Sequence, residues 1–168
     1  MKKTFLLLLS LCSGILFSQK NLSKKDSNFV IHSYEHTLLE IKLADLAQSK
    51  STSPDVKSLA STLSNSHTKA LGELKQLASQ KNIQLPSSIS EKQQNYYDKL
   101  NKKEGADFDK WYTKCAVKSH KMGACYVKKK SKKAKDAEIK SWAASYYPVL
   151  EQNRDKAKET CKALKNKK

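Results

Sequence analysis

The chain is short of the residues that punctuate sheets and loops, with 4 glycines and 3 prolines in 168 residues. A sandwich or barrel of many short strands needs such residues at most of its corners, so an all-β fold is excluded. No glycine-rich phosphate loop can be drawn, which removes the common nucleotide-binding classes, and no repeat of fixed period occurs. Beyond Phe17 no apolar run comes near the roughly 20 residues that cross a bilayer as a helix. Aromatics are 8% of the chain, and acidic residues are scarce, 16 against 33 basic ones. What is abundant is lysine, leucine, alanine and serine, a composition suited to helices.

The first eighteen residues have a separate logic. Lys2 and Lys3 precede an almost wholly apolar stretch from Thr4 to Phe17, and Ser18 is a small residue just ahead of Gln19. This is the pattern of a secretory leader cut between Ser18 and Gln19. A lipoprotein reading rests on Cys12 after Leu9-Ser10-Leu11, but Leu11 stands where lipid modification wants a small residue. The expected organisation is a leader over 1–18, a flexible segment over 19–26 and one helical domain over 27–165. The expected destination is the periplasm, the outer-membrane surface or the outside of the cell.

Four long amphipathic patterns follow. In the first, capped by Asp26 or Ser27 and ending near Lys50, the stripe is His32, His36, Leu39, Leu43, Leu46 and Ala47. The second starts at Ser53-Pro54-Asp55, with serine as cap and proline at the first helical position. Its stripe, Val56, Leu59, Ala60, Leu63, His67, Ala70, Leu71, Leu74, Leu77 and Ala78, is the cleanest in the chain. A short helix over Ser90 to Lys103 comes next. The third long helix begins near Asp107, with Phe108, Trp111, Tyr112, Cys115, Ser119, Met122 and Tyr126 on one face. Asp109, Ala116, His120, Gly123 and Val127 form an adjoining strip, where Ala116 and Gly123 would let a neighbouring backbone approach. The fourth starts at Asp136 with the stripe Ile139, Ala143, Tyr146, Tyr147, Leu150, Arg154, Ala157, Cys161 and Leu164, and Pro148 is expected to kink it near Ala144 or to interrupt it.

Polar groups inside these stripes are the candidates for chemistry. Glu40, His67 and His120 come from three different helices, and His36 lies one turn from Glu40. Two imidazoles and a carboxylate can ligate one zinc or iron ion; the alternative is a metal-free polar network of neutral histidines bonded to Glu40, Asp109 or tyrosines. Paired-iron bundles use Glu-x-x-His on two helices. Here Ser64 and Val117 stand three residues before His67 and His120, so a di-iron centre is not expected.

The ordered set of Leu39-Glu40-Ile41-Lys42-Leu43-Ala44-Asp45-Leu46-Ala47, Val56-Lys57-Ser58-Leu59-Ala60 with Ser66-His67, Leu85-Pro86, Phe108-Asp109-Lys110-Trp111-Tyr112 with His120, and Tyr147-Pro148-Val149-Leu150 resembles the exported bacterial family called domain of unknown function 4142. The resemblance spans about residues 27 to 164. It implies a ferritin-like four-helix bundle, with a short extra helix between the second and third long ones, in the cell envelope or outside the cell. It implies no activity. The chain departs from the family pattern at Ser66, where an acidic residue is frequent, and at Asn153, where a further histidine is.

Charge is concentrated as well as large. The chain carries +17, and from Lys110 to Lys135 there is no Asp or Glu. Lys114, Lys118, Lys121, Lys128, Lys129, Lys130, Lys132 and Lys133 fall in that span as a candidate surface for an anionic lipid, a polysaccharide or another polyanion. Once the leader is gone, Cys115, Cys125 and Cys161 allow at most one internal bridge, and a Cys115–Cys161 pairing is expected from their similar height in antiparallel helices. The reading favoured on these grounds is an exported, non-enzymatic helical module without a cofactor that meets an anionic partner through its lysine face. The alternative is a degenerate bundle holding one zinc or iron ion at Glu40, His67, His120 and His36, linked to envelope or oxidative stress. Oligomeric state stays open.

Overall fold

Where apolar residues recur at intervals of three and four, the chain is helical. A computed structural model describes residues 22–166 and contains α1 (Lys24–Lys50), α2 (Pro54–Gln80), the short α3 (Glu91–Asn101), α4 (Gly105–Lys133) and α5 (Ala137–Asn166). The all-α class and the extra helix are as expected. The leader, its Ser18–Gln19 junction and Cys12 lie outside the described residues.

Capping explains the boundaries. Ser23, not Asp26 or Ser27, caps α1, its hydroxyl accepting from the Asp26 amide at 3.1 Å, so the helix already covers part of the segment expected to be flexible. Pro54 sits at the start of α2 as its sequence position demands. Ser90 and Gln93 form a reciprocal capping box on α3. The turn into α4 uses Gly105 at φ 52°, a left-handed conformation that costs glycine little. Asp136 opens α5, its Oδ1 accepting from the amides of Glu138 and Ile139, both at 3.0 Å. That helix is continuous through Pro148 and is not interrupted there.

Helix α1 packs on α2, α2 on α5, α5 on α4 and α4 back on α1, closing a four-membered ring. Contacts of Asp26 with Lys130, His36 with Ser119 and Lys50 with Glu104 make α1 and α4 antiparallel. Bonds from Trp142 to Glu73 and from Asn153 to Ser66 do the same for α2 and α5. The two hairpins are therefore joined by one long crossover, the connection of ferritin-like bundles, and α3 rides in it across the α1–α4 seam. No described helix is long and apolar enough to cross a membrane.

The core is divided. One apolar cluster is built around Phe29, Val30, Leu74, Leu77, Ile139, Trp142 and Leu150, and the other around Leu43, Leu59, Leu63, Leu100, Phe108 and Ala157. Between the two, at mid-height, lie Thr37, Glu40, His67 and His120, all buried. A polar layer sandwiched between dry ones is where electrostatic interactions are strongest and an unpartnered group most costly.

Three stripes depart in part from their expected positions, although Leu39, Leu43, Leu46 and Ala47 of α1 and Ile139, Ala143, Tyr146, Leu150 and Ala157 of α5 are buried as expected. His32 is solvent-facing and pairs with Glu35, while Phe29, Ser33 and Thr37 take the inner side of α1. In α4, Asp109, Thr113, Ala116, His120, Ala124 and Val127 are buried, whereas Met122 and Tyr126 are exposed. A methyl at Gly123 would meet only side chains of Leu150 and His36 at 3.6 and 3.9 Å, so no close backbone approach demands glycine there. Beyond Pro148 the inner face of α5 runs through Asn153 and Thr160 rather than Arg154 and Cys161. Arg154 stays at the surface with Glu151 and Asp155, where its charge remains hydrated.

That rotation also corrects the expected disulfide. Cys115, Cys125 and Cys161 are free thiols; Cys115 is turned to the Tyr96 hydroxyl of α3, away from α5. Dithiothreitol is therefore expected to leave the melting temperature unchanged, and native alkylation to label exposed Cys125 well before Cys115. A peptide linking Cys115 to Cys161 in an unreduced digest would contradict this.

Candidate metal centre

Three helices aim one ligand each at a common point. The carboxylate of Glu40 from α1 and ring nitrogens of His67 from α2 and His120 from α4 all lie within 4.8 Å of one another, and all three residues are buried. His67 Nε2 and His120 Nε2 are 3.0 Å apart. Two nitrogens bound at about 2.0–2.1 Å to one ion are separated by about 2.9–3.4 Å, so this spacing matches a chelating pair.

The outer partners fix how the rings present themselves. His120 Nδ1 is 2.8 Å from the carbonyl oxygen of Ala116, one turn back on α4. A carbonyl can only accept, so Nδ1–H donates to it and Nε2 is the nitrogen turned inward to the site. His67 Nδ1 meets the Tyr146 hydroxyl at 2.9 Å, and that hydroxyl also meets Thr37. A phenol can donate or accept, so it serves either tautomer of His67: it donates to Nδ1 while Nε2–H bonds to His120, or accepts from Nδ1–H when Nε2 is free to ligate. Glu40 accepts a short hydrogen bond from Ser119, whose oxygen is 2.9 Å from His36 Nε2. His36 Nε2 itself is 3.6 Å from Glu40, and its side chain is 36% exposed at the α1–α4 seam.

Charge balance is the most telling property. Burial drives the His67 pKa down to about 3, against the pull of Glu40, so this imidazole is neutral. Burial lowers His36 too. Burial pushes Glu40 the other way, but the facing imidazoles of His120, His36 and His67 and the Ser119 hydrogen bond outweigh it, and the carboxyl is held below its usual range. Glu40 is thus an anion in the middle of the bundle. Its sole ion-pair partner among the described residues is His36, and no lysine or arginine pairs with it.

Sequence reasoning found Glu40, His67 and His120 and the proximity of His36, and the fold brings these four together. It anticipated a tyrosine partner without saying which, and it missed Ser119, Thr37 and the Ala116 carbonyl. Tyr146 was visible only as a stripe residue, and Ala116 acts through its backbone, which no side-chain pattern reveals. Ser64 is turned toward Asp45 at 3.5 Å, and among the described residues just one carboxylate reaches the cluster, so these residues offer the donors for one ion and not for a pair. Asp109 is not among the partners; its Oδ1 is buried and unpaired toward the other end of α4.

The family match covers residues 17–160, most of the chain. This protein belongs to the family described as Domain of unknown function (DUF4142). No curated protein is similar to it in sequence. The crystal structure of a DUF305 fragment from Deinococcus radiodurans superposes with a TM-score of 0.72 at 14% identity, over 86% of this chain and 98% of that one, which supports the shared bundle fold alone. The geometry adds one point about this DUF4142 chain. Ser66 of α2 and Asn153 of α5 touch each other, with Asn153 Nδ2 donating to Ser66 Oγ at 2.8 Å. Beside His67 an amide and a hydroxyl thus pair with each other, and Glu40, His67 and His120 remain together.

Proposed function

We propose that the chain is an exported binding protein for a single divalent transition-metal ion, held by His67 Nε2, His120 Nε2 and the Glu40 carboxylate, with His36 at the solvent edge. This reverses the preference drawn from the sequence. The observation that carries it is a buried carboxylate facing two converging imidazole nitrogens with no lysine or arginine to neutralise it. An ion pair with partly exposed His36 at 3.6 Å is weak compensation for a charge in so dry a place. A divalent cation supplies the missing charge and uses the nitrogen lone pairs together. Imidazole and carboxylate donors suit zinc, iron, cobalt or nickel, and the absence of thiolate from the set disfavours copper(I). Three protein ligands leave a coordination position for water. Export is part of the reading and is supported by the basic, apolar and small-residue order of residues 2–18.

The test is a cobalt(II) titration of tag-free protein, followed by visible absorption and by metal analysis after gel filtration. One ion per chain is expected, with the signal abolished in the His67→Ala, His120→Ala double variant while helix content by circular dichroism persists. Absence of both ligand-field bands and retained metal in the wild-type protein would sink the reading.

A further inference from the structure

The lysine-rich face of α4 is more than a charged surface, because it also carries exposed apolar side chains. Met122 is 62% exposed and Tyr126 is 46% exposed, and these are the large hydrophobic residues that stand in solvent among the described residues. Both belong to the half of α4 that periodicity assigned to the core. At 100° per residue, Lys118, Met122, Tyr126, Lys129 and Lys133 fall within an arc of about 80°, on the side of the helix away from His120. All five are exposed. At 1.5 Å per residue the strip is about 22 Å long.

We infer that this strip is a peripheral docking surface for an anionic lipid bilayer, with Met122 and Tyr126 seated at the headgroup boundary and Lys118, Lys129 and Lys133 on lipid phosphates. The proposal is independent of the metal site, which lies on the opposite side of the same helix. Charge complementarity names the partner's sign: no acidic residue occurs from 110 to 135, and the chain carries +17. The apolar pair narrows its kind. A soluble polyanion is bound by charge alone and gains nothing from a methionine in water, whereas a bilayer rewards both terms. Protein interfaces are depleted in lysine at their centres and bury far more than two apolar side chains. A nucleic-acid surface would want arginine forks and free stacking rings, but Tyr126 already packs on Phe29, with centroids 5.4 Å apart.

Not every lysine of the span takes part. Lys130 is tied to the buried carboxylate of Asp26, and Lys128 lies over the Tyr147 ring of α5 at 4.9 Å. Lys114, Lys121 and Lys132 flank the strip and add long-range attraction.

Co-sedimentation of the full chain with vesicles tests this, using phosphatidylcholine alone and phosphatidylcholine with added phosphatidylglycerol, at low and raised salt. Binding is expected on the anionic vesicles alone and should weaken with salt. A Lys118→Gln, Lys129→Gln, Lys133→Gln variant should lose about a hundredfold in vesicle affinity, at roughly fivefold per lysine. Met122→Ser should lose about tenfold on vesicles while its retention on heparin stays at the wild-type level. Met122→Trp should bind vesicles more tightly. Residue 122 is exposed, so folding is not at stake for its variants. No binding to anionic vesicles overturns the proposal. So does vesicle binding that is indifferent to residue 122, which would make the face a site for soluble polyanions; so does retention that scales with protein concentration rather than with lipid, which would make it a contact between copies.

Discussion

Saturating zinc should raise the melting temperature of the wild-type bundle by about 10 °C and move that of the Glu40→Gln variant by no more than about a third as much. Ligand at a thousandfold excess over its dissociation constant stabilises the native state by about 4 kcal/mol, and a domain of this size gains about 2–4 °C per kcal/mol. Glutamine keeps the shape of Glu40 and can still accept from Ser119, but it removes the anion. Since His67 is neutral, the anion is the group that draws a cation into the bundle. Loss of a direct ligand should cost more than the 10- to 100-fold typical of an outer partner. Tyr146→Phe provides that comparison: it removes the hydroxyl 2.9 Å from His67 Nδ1 and should weaken zinc within the smaller range. Each variant is compared with itself, with and without metal, by differential scanning calorimetry, so any change in its intrinsic stability cancels. Equal zinc shifts in wild type and Glu40→Gln would mean that the ion binds elsewhere.

The site was legible in sequence to the extent that it is made of side chains on helical stripes. His67 stands in the most regular stripe of the chain, so its inward direction followed from period alone. His120 and Glu40 were reachable by the same argument. Their outer partners were legible only as an unspecified tyrosine, because Ser119 and Tyr146 are ordinary residues that matter here only through contacts between helices 79 residues apart in sequence. The tautomer of His120, set by a backbone carbonyl, has no signature in composition or spacing.

Errors of phase had a common physical source. Reading α4 by apolarity put Met122 and Tyr126 inward, yet its buried arc includes Thr113 and His120, whose burial is offset by hydrogen bonds, and Asp109, whose Oδ1 has no partner among the described residues. In α5 the stripe steps from Leu150 to Asn153, where an amide finds Ser66; Arg154 would have brought an unpaired guanidinium into the core. The second helix gave no such trouble, since apart from His67 its buried face is wholly apolar. A helix that builds a polar layer is thus the one whose orientation periodicity describes least well.

Asp26 is the residue whose replacement should do most damage to the fold itself, although in sequence it reads as no more than a helix cap. Its side chain is 2% exposed; Oδ1 is paired to Lys130 at 2.8 Å, and Oδ2 accepts from the amides of Lys135 and Asp136 at 3.0 and 3.1 Å. One carboxylate therefore ties the start of α1 to the end of α4 and to the turn into α5. Asp136 in turn caps α5 and pairs with Lys81 at the end of α2, so all four long helices meet through this knot. Asp26→Ala strands two amides and takes the counter-ion from the largely buried Lys130 ammonium, which keeps only the Lys25 carbonyl, and should cost about 3 kcal/mol, or about 10 °C. Lys130→Met removes the cation but leaves the amides paired, and should cost less. The pH dependence follows from the direction of the shift. Burial raises the Asp26 pKa, but the Lys130 bond, the Asp136 and Lys135 amides and Ser23 together bring it below the ordinary 3.8. A carboxyl depressed in the folded state binds fewer protons there than in the unfolded chain, so its contribution is complete above the unfolded value and disappears as pH falls through the folded one. Urea unfolding of wild type and Asp26→Ala should accordingly differ by a constant amount at neutral pH and converge below about pH 4. Curves that stay parallel into acid would show that the carboxylate charge contributes nothing, and that Asp26 acts through its packing alone.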